Sequence, residues 1–137
     1  MNRENVQASI NIMQRVIDRG SNFNLSYWAS GGALESCKSE ESYHKCGMSA
    51  CWGGWVAVAP EWPGGVDEGG IPVIENCYGE GLGGVEALAY WLDVDYDVVN
   101  AIAGIGSDGA ETYSQVRNLK DVTPQMVIAK LEGLLDE

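Results

Sequence analysis

From Cys46 to Val116 the chain contains no lysine, arginine or histidine. Eleven acidic residues fall in that same stretch: Glu61, Asp67, Glu68, Glu75, Glu80, Glu86, Asp93, Asp95, Asp97, Asp108 and Glu111. A surface without cations repels phosphate, so direct binding to DNA or RNA and adhesion to anionic membranes are not expected. No apolar run approaches the roughly 20 residues that cross a bilayer. The polar start, Met1-Asn2-Arg3-Glu4-Asn5-Val6-Gln7, shows no secretory signal. A cytoplasmic location in a host cell is expected, with the four cysteines mostly reduced.

Other residue types are scarce. There is one histidine, His44, and the four cysteines form no Cys-x-x-Cys pair. Structural zinc sites use ligand pairs two to four residues apart, so a site built from Cys37, His44, Cys46 and Cys51 has poor spacing, with only His44 and Cys46 close. Were Cys46 and Cys51 on one regular helix, their Cα atoms would stand more than ~8 Å apart, beyond the ~7 Å reach of a disulfide. Cys51 then reads as a small core residue, with Cys46-Gly47 shaping the helix entry. His44 beside Cys46 is the one pairing that suggests a thiolate nucleophile, but an orienting group and an oxyanion hole are not visible. Neither catalysis nor a cofactor is expected.

What is present is ordinary for a folded protein. The chain has 137 residues, 45% hydrophobic and 20% charged, with a net charge of -12. One domain of this length buries roughly two-thirds of its unfolded surface and needs no metal or disulfide to fold. Val6, Ile10, Met13 and Ile17 recur at helical spacing and predict a helix over Arg3–Arg19, stopped by Gly20. Residues 21–45 read as irregular. A second helix is predicted over Ser49–Ala59, ended by Pro60 and Pro63. Residues 60–84 are rich in glycine and proline, with a short strand at Ile71–Ile74. Val85, Leu88, Ala89 and Leu92 mark another helix, Asp95–Ala103 a shorter one with Asp95 as its cap, and residues 104–122 a loop. Thr123-Pro124 opens a last helix whose buried stripe is Val127, Leu131, Leu134 and Leu135. The expected fold is mainly α, a compact single domain of four to five helices with two long Gly-rich loops. The strand at Ile71–Ile74 leaves room for a short β-hairpin, and no internal repeat is apparent.

Two pattern matches fail on inspection. Gly79-Glu80-Gly81-Leu82-Gly83-Gly84 fits G-x-G-x-x-G, but Glu80 would face the phosphates and no second parallel strand follows. Asp93-Val94-Asp95-Tyr96-Asp97 opens like a calcium loop, yet Val98 stands where glycine is needed and Gly104 where a bidentate glutamate is needed.

Phe23-Asn24-Leu25-Ser26-Tyr27-Trp28, then Cys46-Gly47-Met48-Ser49-Ala50-Cys51-Trp52-Gly53-Gly54-Trp55, then Thr123-Pro124-Gln125-Met126-Val127-Ile128 make up a further pattern. Together they resemble a widespread group of small bacteriophage and bacterial proteins with a Phe…Trp…Cys-Gly-Thr-x-x-Cys-x-x-Gly pattern. Met48 stands where that group usually has threonine, and Trp52 where it has a smaller aliphatic residue. The resemblance spans most of the chain and implies phage or prophage origin and a compact helical fold. It implies no activity.

The charge pattern and the aromatic residues point to binding. Trp62, between Pro60 and Pro63, and Tyr78 are the expected exposed anchors, since Trp and Tyr are enriched at hot spots. Around them Glu61, Asp67, Glu68, Glu75, Glu80, Asp93, Asp95 and Asp97 are the expected contact carboxylates. The expected partner is a host protein with a basic surface: a nuclease, a restriction or CRISPR-type complex, or a polymerase, inhibited by carboxylates in place of phosphates. The alternatives are a small structural or zinc-binding module, or a small-molecule-sequestering protein. Acidity that serves solubility alone is the plainest reading.

Overall fold

The periodicity over Arg3–Arg19 becomes helix α1 in the computed structural model, which describes residues 1–30 and 38–136. Asn2 caps it, its side chain accepting the Asn5 N–H at 3.1 Å. Val6, Ile10, Ile12, Met13 and Val16 are buried, while Ile17 is only half-buried. The buried face is thus wider than the predicted stripe, because α1 packs against three later helices.

The next stretch is more ordered than expected. Strand β1 (Asn22–Phe23) and strand β2 (Ala29–Ser30) lead to helix α2 (Glu40–Lys45), then strand β3 (Ser49–Ala50). β3 lies between the other two, parallel to β1 and antiparallel to β2. Such short strands carry almost no periodic signal, which is why residues 21–45 read as irregular. Helix α3 (Trp52–Val58) starts later than predicted, because Ser49 and Ala50 are held in β3 and Cys51 is the cap.

Strands β4 (Gly65–Val66), β5 (Pro72–Glu75) and β6 (Gly81–Gly83) form an antiparallel meander rather than a single strand or hairpin. Its two turns have the same construction. Asp67 Oδ1 accepts the N–H groups of Gly69 and Ile71 at 2.8 and 3.0 Å. Asn76 Oδ1 accepts those of Tyr78 and Glu80 at 2.9 and 3.0 Å. Gly70 and Gly79 take φ of 79° and 78° at matching positions, a conformation that favours glycine. Only the Asx residue and the glycine are shared between the two turns, so the repeat hides in the sequence.

Helices α4 (Val85–Leu92), α5 (Tyr96–Ala103), α6 (Gly106–Thr112) and α7 (Pro124–Leu135) complete the chain, with a 3-10 turn at Leu119–Asp121 between the last two. The described residues therefore hold seven α-helices, not four to five. Helix α6 corrects the loop expected over 104–122. Its glycines argue against a helix locally, but Gly109 lies flat on the Gly104 backbone, and that packing overrides propensity. α7 is capped as expected by Thr123, and it packs along α1 with Val127 and Leu131 fully buried. Leu134 and Leu135 are half-buried. Among the described residues no helix is long and apolar enough to cross a membrane.

The core centres on α3. Trp52 and Trp55 are fully buried, with Tyr43, Met48, Ile12, Met13 and Leu88 around them. Trp52 Nε1 donates to Ser9 Oγ at 2.6 Å and Trp55 Nε1 to the Asn22 carbonyl at 3.0 Å. Tyr43 meets Trp55 edge-on at 5.7 Å. A Cβ at Gly53 would overlap the Trp28 ring, and one at Gly54 the Trp28 carbonyl oxygen. The Cys51-Trp52-Gly53-Gly54-Trp55 run is thus built to receive the Trp28 segment.

Candidate functional site

Among the described residues the cations that form ion pairs sit on α1 and α2, with the exception of the Met1 amino group. Arg15 donates to Glu61 at 2.6 and 2.7 Å and to Glu40 at 3.0–3.2 Å. Arg19 stands 3.6 Å from Glu40, and Lys45 lies 3.0 Å from Glu41. The hydrogen bond to Glu61 leads in raising the Arg15 pKa above its ordinary value, and the nearby charges of both carboxylates add to it. Burial is the largest influence on the Glu61 carboxyl and would raise it, but the hydrogen bond from Arg15, a backbone N–H and the Arg15 charge together leave the group below the usual carboxylate value. Glu61 is therefore a structural anchor between α1 and the end of α3, not a free contact carboxylate.

Trp62 is the second correction. It is 5% exposed, donates Nε1–H to the Gly65 carbonyl at 3.0 Å and packs edge-on against Trp91 at 5.3 Å. The flanking prolines turn the chain at the surface, yet the ring folds back under β4, because an indole brings more apolar area to the core than to solvent. Tyr78, by contrast, is 83% exposed at the tip of the β5–β6 turn.

The remaining expected carboxylates are all exposed, but in three places. Asp67 and Glu68 lie in the β4–β5 turn, while Glu75 and Glu80 flank Tyr78 at the opposite end of β5. Asp93, Asp95 and Asp97 lie where α4 passes into α5. Asp95 holds the cap position without a capping bond from its side chain, and Asp93, at φ 55°, accepts the Met1 ammonium at 3.2 Å. No other residue of this set forms an ion pair among the described residues.

The expected metal ligands do not converge. Cys51 is buried at the start of α3, accepting the Gly54 N–H at 3.4 Å, and burial pushes its thiol up to about 11. His44 Nδ1 lies 2.8 Å from Ser21 Oγ, and Cys46 is exposed at the end of α2. His44 is thus turned to Ser21 and Cys51 to the start of α3, and no group of three or more His, Cys, Asp or Glu could hold a metal among the described residues. Cys37 lies outside them. The Ser21–His44 contact has no carboxylate on the other ring nitrogen among the described residues, so nothing there orients the imidazole as a general base would require.

Sequence reasoning missed the outer face of the β4–β6 sheet. Val66, Ile74 and Leu82 face the core, so Val73 and Glu75 face outward. On that face Val73 has Gly65 and Gly83 as its neighbours across the strands, and Glu75 has Gly81. Beside Pro63 a shallow hollow of about 790 Å3 is lined by Gly64, Val73, Ile74, Glu75, Leu82 and the backbone of Gly65, Gly81 and Gly83. Its signal, glycine at every second position of a strand with polar surroundings, is indistinguishable from a loop in the sequence. No protein-family model, curated protein or solved structure matches the chain.

Proposed function

We propose that the chain is a non-catalytic accessory protein of phage type that binds a host nucleic-acid-handling protein through its basic surface and inhibits it. The observation that carries this reading is the separation of charge. Apart from the Met1 ammonium on Asp93, the cations in ion pairs are drawn to α1 and α2, while Asp67, Glu68, Glu75, Glu80, Asp95 and Asp97 stand exposed and without ion pairs among the described residues. Carboxylates left in water this way cost the fold little and create a field that attracts a phosphate-binding surface. The hairpin carrying Tyr78 between Glu75 and Glu80 adds an aromatic contact to that field.

The test is capture of bacterial proteins on the immobilised chain at low and high salt, with duplex DNA as competitor. A nucleic-acid-binding protein held at low salt and released by salt or by DNA is the expected result, because exchange of counterions makes such contacts salt-labile. A chain carrying Glu75→Gln, Glu80→Gln, Asp67→Asn and Glu68→Gln should lose that capture while melting at the same temperature. Equal capture by both chains would defeat the reading.

A further inference from the structure

The β6 edge of the β4–β6 sheet is open. At one end of β6 the Glu80 carbonyl accepts the Asn76 N–H at 2.9 Å, and at the other the Gly84 N–H donates to the Pro72 carbonyl at 2.8 Å. Leu82 pairs with Ile74 midway between these two bonds. Alternate residues of an antiparallel strand bond to opposite sides, so Gly81 and Gly83 turn their N–H and C=O groups away from β5. Both glycines are exposed, and among the described residues β5 is the one strand paired with β6. Sheets guard such edges with charge, proline or bulges. The strand Gly81-Leu82-Gly83 carries neither charge nor proline.

We propose that β6 accepts an extended segment of the partner protein as a further antiparallel strand, with large apolar side chains at alternate positions. The inference rests on the binding function proposed above and names the segment that docks. Two observations select the occupant. The edge offers main-chain groups, which an extended chain can satisfy and a helix, its own groups already bonded, cannot. Residues paired with Gly81 and Gly83 place their side chains on the outer face, over the hollow lined by Val73 and glycine backbone. A large side chain opposite a strand glycine covers the backbone that glycine leaves bare. The bonds to Asn76 and Pro72 already hold β6 extended, so docking orders no new part of this chain. A second copy would set its own Gly81 and Gly83 against the same positions and leave the face uncovered. Its net charge of -12 would also repel the first.

The probe is an uncharged peptide, acetyl-Thr-Phe-Thr-Phe-Thr-amide, titrated into the full chain and followed by amide NMR. The amides of Gly81 and Gly83 should shift and exchange more slowly with solvent, because their N–H groups become bonded. N-methylation of both phenylalanines removes the donors that face β6 and should weaken binding at least about tenfold. N-methylation of the central threonine, whose N–H faces away, should change it less than about twofold. Alanine in place of both phenylalanines should weaken it about fivefold or more. Gly81→Pro deletes an outward N–H without touching the bonds to β5 and should lose the peptide, with circular dichroism showing the variant folded. If that variant unfolds, the pair of N-methylated peptides still decides. Equal losses from the two N-methylated peptides, shifts on the helices in place of β6, or no binding would each overturn the edge site. A dimer of the free chain in sedimentation that Gly81→Pro dissolves would overturn it too, assigning the edge to a second copy. If the peptide fails while salt-labile capture of a basic protein persists, the edge site falls and the proposed function stands. If the peptide binds while that capture is absent, the function falls and the edge site stands.

Discussion

Two glycine-rich regions of this chain use the same residue for opposite purposes. At α3, Gly53 and Gly54 are missing a Cβ because Trp28 occupies the space, and the result is a closely filled part of the core. In the β4–β6 sheet, Gly65, Gly81 and Gly83 meet nothing closer than ordinary contact, and the result is a bare outer face. Glycine beside tryptophan marks close approach of two segments, whereas glycine beside carboxylates marks surface left open. A glycine count alone cannot tell these apart, but the neighbouring residue types can.

That contrast breaks most sharply at Gly54. Gly54→Ala would drive a methyl into the Trp28 carbonyl, and we expect a loss of roughly 3 kcal/mol or more, read as a fall in the urea midpoint. Gly81→Ala enters open space and should stay within about 0.5 kcal/mol of the parent chain. Equal effects would mean the two regions are not packed differently. Trp52→Phe comes next. It leaves Ser9 Oγ without its indole donor in the core and opens a void, so a loss of about 2 kcal/mol is expected in the same experiment.

The Arg15 clamp gives a smaller effect that depends on pH. Glu61 is held below its ordinary value of 4.5, so its contribution is complete above that pH and is lost as pH falls through the folded-state value. The melting temperature should therefore drop on acidification below about pH 4.5, and the drop should shrink in Glu61→Gln. Cys51 acts at the other end. Its thiol, raised to about 11 from 9.0, ionises first in the unfolded chain, so stability should decline as pH rises above 9. The smallest perturbation is thiol labelling of the native protein. Exposed Cys77 should react with a disulfide reagent at once, and Cys51 only on unfolding.

The helices with strong periodicity were legible in advance, because α1, α4, α5 and α7 each show an apolar face and a recognisable start or stop. The strands were not, since β1, β2, β3 and β4 have two residues each and exist only through their partners. The binding residues divide the same way. Exposure of most of the carboxylates could be anticipated, because charge avoids the interior. The fate of Trp62 and Glu61 could not, because a ring between prolines looks the same whether it folds in or out, and a glutamate shows nothing of an arginine 46 positions away.

By itself, then, the sequence determined the acidity of the chain from Cys46 to Val116 and the amphipathic helices. These follow from composition and local period, which act along the chain. Only tertiary structure decided which carboxylates are anchored and which stay free, that Gly53 and Gly54 admit Trp28, and that Val73 stands between two glycines on the outer sheet face. Those outcomes depend on what arrives from distant segments, and steric fit between such segments has no local signature.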